Sequence, residues 1–133
     1  MLPLMLPITL TTASVLALLS LFLAVRVVQS RVKSHTPMGD GGKTDMVMRM
    51  RTHANFIEYV PLLLILMGLL ELGGANKTVL SWAGGALILF RVLHAVGMPR
   101  PVPNFPRGAG AMGTFILVAG AAIYGLVLAF GVH

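Results

Sequence analysis

Four apolar stretches, at about residues 7–30, 45–72, 78–97 and 108–130, dominate the sequence, and each is long enough to cross a bilayer. A hydrocarbon core of about 30 Å takes roughly 20 apolar residues in helical form. Inside lipid every backbone amide must find its partner within its own segment, which leaves the helix as the solution for runs of this length. The sequence therefore predicts an all-α integral membrane protein, one domain over 1–133 folded as a four-helix bundle. Only 11% of residues are charged, against about 25% in soluble domains. The first run carries no charge from Ile8 to Val25 and lacks the basic start of a secretory signal. It is read as a retained helix entered at Pro7.

The connections differ in kind. Residues 34–42, from Ser34 through Gly41-Gly42, are dense in turn formers and read as a loop. Gly73-Gly74-Ala75-Asn76-Lys77 is tight, so the second and third helices form an antiparallel hairpin. Gly97 to Arg107 is a proline-rich loop. Pro61, inside the second apolar run, predicts a kink or a freed carbonyl. Trp82 is placed as an interface anchor, and Gly84-Gly85 as a point where a neighbouring helix approaches closely.

The cations set an orientation. Of the ten Lys and Arg, only Lys77 lies in the second connection; the others lie on or beside the first and third. The positive-inside rule then puts those two loops in the cytoplasm and both termini outside, as expected of a bacterial inner-membrane protein. It gathers Arg26, Arg31, Arg51, Arg91 and Arg107 at one membrane face. The formal charge of +6 is accordingly assigned to topology and anionic headgroups, not to nucleic acid.

One stretch carries chemistry. At 100° per residue, Arg51, Asn55 and Glu58 fall within about 60° of one another, with Tyr59 at the edge of that face. By helical rise Glu58 lies roughly 10 Å deeper than Arg51. Ionisable groups at that depth face a bundle interior or a polar ligand. A cationic rim with one buried acid suits a small anionic or zwitterionic ligand, since arginine forks match carboxylates and an acid accepts an ammonium group. A packing network between helices is the plainer reading. Arg91 and His94, three apart on the third helix, share a face with Met98, and they too read either as ligand contacts or as a helix-end cation and its hydrogen-bonding neighbour.

Other chemistry is poorly supported. Without cysteine there is no disulfide, thiolate metal site or catalytic thiol. His35, His53, His94 and His133 are scattered, so no metal is expected. No Ser–His–acid grouping is suggested. Gly39-Asp40-Gly41-Gly42 is too short, and lacks the strand, for a phosphate-binding loop.

The pattern Arg51-x-x-x-Asn55-x-x-Glu58-Tyr59-x-Pro61 resembles the signature of the membrane-associated proteins in eicosanoid and glutathione metabolism, the MAPEG family, in its bacterial form. Arg91-x-x-His94 late in the third helix and Arg107 entering the fourth are similar too, and the likeness covers essentially the whole chain. It implies a homotrimer with glutathione held between neighbouring subunits near the cytoplasmic face. Arg51, Asn55, Glu58 and Tyr59 would hold the peptide, with Glu58 on its amino end, and Arg91 and His94 would contribute from the third helix. Arg107 would stabilise the thiolate, which attacks a lipophilic electrophile or reduces a lipid hydroperoxide. A thiol of pKa near 8.5 needs an adjacent cation to be largely ionised at neutral pH. Arg31 and Arg26 would lie near enough to reach the same site, although no motif pins either one.

Two positions depart from that pattern. Met98 stands where eicosanoid-forming relatives carry a hydrogen-bonding tyrosine, and the proline-rich loop makes Arg100 a competitor for the role of Arg107. The implied function is glutathione transfer. The alternatives are a non-catalytic bundle that binds lipid or glutathione, and a small multidrug transporter. The last relies on an acid in the first helix, which Ile8 to Val25 does not contain.

Overall fold

The structure is a computed structural model and describes residues 3–131; His133 lies outside them. It consists of α1 (Pro7–Ser34), α2 (Thr44–Leu72), α3 (Lys77–Gly97) and α4 (Phe105–Ala129). All four are long and apolar enough to cross a membrane, so the chain is an all-α integral membrane protein. Helix α1 packs on α2 and α3, and α4 packs on α3 and α2. The core between them holds Leu16, Leu23, Phe56, Val60, Leu63, Met67 and Leu87. Outward faces are apolar as well, with Leu18, Ile65 and Ile116 exposed, as expected where lipid is the solvent.

Helix ends depart from the sequence reading at two places, both at the cationic end. Helix α1 continues one turn past Ser30 to Ser34 and stops where His35 takes a left-handed conformation (φ 51°), its amide donating to the Val32 carbonyl. Helix α4 starts at Phe105, three residues before the expected Gly108. The Asn104 side chain caps it by accepting from the Arg107 amide at 3.0 Å, and Pro106 sits in its first turn. Asn followed by Pro at the first helical positions is a start signal; the density of prolines around it hid that signal. Helix α2 runs unbroken through Pro61.

Close approach between helices falls on particular glycines. A Cβ on Gly84 would meet the Thr12 hydroxyl of α1, whereas Gly85 has open space beside it. A Cβ on Gly97 would run into the Arg107 backbone, and one on Gly110 into the backbone of Phe90 and His94. These contacts hold α3 and α4 together at the cationic end and bring Arg107 beside the end of α3.

Candidate functional site

At that end a cleft of about 430 Å³ opens between α2, the end of α3, the third loop and the start of α4. Arg51 and Asn55 line it from α2, one turn apart, because both lie on the same helical face. His94 and Met98 line it from α3, Arg100 from the loop and Arg107 from the first turn of α4. No carboxylate is among its lining residues. The wall is thus cationic and rich in donors, which suits carboxylate, phosphate or thiolate groups of a ligand.

Arg91 lies behind this wall, not in it. It is 1% exposed. One terminal nitrogen donates to Asn55 Oδ1 at 2.9 Å and lies 3.3 Å from His94 Nδ1, while the other donates to Thr114 Oγ1 at 3.4 Å. The guanidinium also sits 5.6 Å from the centre of the Phe56 ring, and its Nε is buried without a partner. Such a group donates and never accepts. Asn55 therefore spends its carbonyl on Arg91 and keeps its NH2 for other partners, and a neutral His94 must leave Nδ1 unprotonated and carry its proton on Nε2. Arg91 thus orients two cleft residues as donors.

Glu58, Tyr59 and Arg31 are not brought into the cleft. Glu58, on the same helical face one turn beyond Asn55, is exposed outside the cleft lining and has no ion-pair partner among the described residues. Tyr59 packs edge-on against Phe115 of α4, with ring centres 5.1 Å apart. Arg31 ties down the first loop, donating to the Gly39 carbonyl at 2.8 Å and the Thr36 carbonyl at 3.3 Å. Arg100, treated as a rival of Arg107, lines the same cleft beside it. Thr114, which no motif singled out, is fully buried against Arg91; a lone threonine in an apolar helix gives no signal of such a role.

The profile of the MAPEG family matches residues 9–127. The chain belongs to that family. It is also similar to the inner membrane protein YecN of Escherichia coli K12, 32% identical over 81 residues that make up 61% of this chain and 62% of the relative. The same similarity holds for YecN of E. coli O6:H1. The aligned region thus spans about three fifths of the length of these relatives. A 49-residue stretch is 45% identical to part of a Gluconacetobacter diazotrophicus protein named histidine–tRNA ligase, covering 36% of this chain and 12% of that one. No solved structure matches the chain.

Proposed function

We propose that this MAPEG protein is a membrane-bound, glutathione-binding enzyme that transfers the glutathione thiolate to lipophilic electrophiles. The observation that carries the reading is the convergence of Arg51, Arg100, Arg107, Asn55 and His94 on one cleft without an acid. Glutathione brings two carboxylates and a thiol, all of which gain from such a wall as anions. The volume of about 430 Å³ lies within the range of small-ligand pockets.

The ammonium group of glutathione needs an acid, and Glu58 is the one nearby in sequence. Since it points outward at membrane depth, where an isolated carboxylate is costly, the site is completed by a second copy, in a homotrimer as the family resemblance implies. Arg107 is the thiolate-stabilising residue. Its side chain projects from the first turn of α4, where the free amides of the helix end favour an anion. The thiolate forms the new S–C bond with an electrophile arriving from the bilayer. In a substitution the bond to the leaving group breaks and that group departs with the electron pair; in an addition to an activated alkene the resulting carbanion takes a proton from water. Lipid hydroperoxides are a second substrate class for the same thiolate. The protein sits in a bacterial inner membrane, with the cleft end in the cytoplasm and both termini outside, following the charge distribution and the name of its E. coli relatives.

Calorimetric titration of the detergent-purified oligomer with glutathione tests this, with Glu58→Ala and Arg51→Ala beside it. Saturable binding lost in both variants, with the oligomer intact, supports the assignment. A folded oligomer that takes up no heat at millimolar glutathione removes it.

A further inference from the structure

A second cavity, of about 450 Å³, lies between α1, α2 and α3 at the same end of the bundle and is separate from the cleft's α4 wall. Its inner surface is apolar, with Leu23 buried and Phe22, Val92 and Val96 half exposed toward the surroundings. Three cations stand at its mouth, Arg26 from α1, Arg49 from α2 and Arg100 from the third loop. From Arg26 to Leu19, its deepest residue on α1, the groove extends about 10 Å along the helix. It therefore begins at the level of headgroups and runs into the hydrocarbon.

The charges at the mouth are poorly answered by the chain. Among the described residues the ion pair is Arg49 with Asp45, at 2.8 Å. Arg26 rests 5.8 Å from the centre of the Phe22 ring, and neither it nor Arg100 has a carboxylate partner. A second copy of the chain is a poor source of one. Of its four acids, Asp45 is paired, Glu71 is bonded at the opposite end of the bundle and Glu58 lies deeper on α2. Asp40 is held by the Gly42 amide at 2.8 Å. Lipid supplies what is missing, since an anionic headgroup meets several cations where a polar end and an apolar chain are needed together.

We infer that the groove between α1, α2 and α3 is a binding site for an anionic phospholipid, its headgroup on Arg26, Arg49 and Arg100 and one acyl chain along Phe22, Val92 and Val96. The lateral opening lets the second chain remain in the bilayer, so the groove needs room for only one. The groove shares Met48 and Arg100 with the cleft, whereas Arg26 and Phe22 line the groove alone, so Arg26 is the position that tests it apart from the glutathione reading.

The test is retention of lipid by the full chain in non-ionic detergent, read by native mass spectrometry. The probes are phosphatidylglycerol, phosphatidylcholine of the same chains, and oleate. The expected result is a preference for phosphatidylglycerol over phosphatidylcholine, falling about fivefold in Arg26→Gln, the worth of one interfacial cation. Lys33→Gln, a cation at the same end outside the groove, is expected to keep the preference. Equal retention of the two phospholipids by the unaltered protein overturns the inference without recourse to any variant. So does an equal loss in Lys33→Gln, which would mean diffuse attraction, or displacement of phosphatidylglycerol by equimolar oleate, which would mean a site for single-chain acids. Glutathione binding by Arg26→Gln is expected to be unchanged.

Discussion

Glu71, in the last turn of α2, caps the start of α1 through Thr9. Its Oε2 accepts from the Thr9 amide at 2.8 Å and from the Thr9 hydroxyl at 2.7 Å, and Oε1 accepts from the Ile8 amide at 3.0 Å. Helix α1 has no cap from its own Leu6, so α2 supplies an anion to the free amides of another helix.

Removing that carboxylate should loosen α1 from α2. Glu71→Ala is expected to cost about 2 kcal/mol, the sum of a lost helix cap and hydrogen bonds to a charged group. Glu71→Gln retains one acceptor and should cost less. Thermal unfolding in detergent measures both. A Glu71→Ala protein as stable as the parent would show the cap to be idle.

Arg91 should matter to stability first and to ligand affinity through its neighbours. Arg91→Ala leaves Asn55 Oδ1, His94 Nδ1 and a side-chain-sized gap in the core, an expected loss of about 3 kcal/mol. Arg91→Lys should rescue little, since one ammonium cannot span the partners the planar fork reaches on α2, α3 and α4. The measurement is the unfolding midpoint of the two variants, compared with the parent's.

Arg107 and Arg100 can be told apart by the thiolate. An adjacent cation favours the ionised thiol, so bound glutathione should lose its proton below the free thiol's pKa of about 8.5. Activity then rises with pH through that lowered value. Arg107→Ala should move the inflection upward by about 1–2 units and weaken the ultraviolet thiolate band, with binding largely kept. Arg100→Ala should leave the inflection in place. The opposite pattern would assign the role to Arg100.

The seam between α3 and α4 leaves no room at Gly110. A Cβ there would collide with the backbone of Phe90 and His94, which cannot swing aside as a side chain would. Gly110→Ala is expected to cost about 2 kcal/mol by overpacking and to weaken glutathione binding by displacing His94 and Arg107. Gly85→Ala, with open space around it, serves as the control and should be neutral or slightly stabilising.

Four apolar runs of membrane length were enough to determine the fold class, because a bilayer allows few ways to pair a buried backbone. The shared face of Arg51 and Asn55 was equally legible, since helical period alone places them together. Period says nothing, however, about which way a face turns against its neighbours. Only the packing of α3 against α2 and α4 decided that Arg91 is enclosed beneath Asn55 and His94, and that Glu58, one turn from Asn55, is left exposed outside the cleft. The position of Arg107 is likewise tertiary: the Asn104 cap starts α4 early, and the missing side chain at Gly97 lets that start close against α3. Spacing along a helix is local geometry, whereas the direction a polar group takes in the bundle depends on contacts with residues up to 63 positions away.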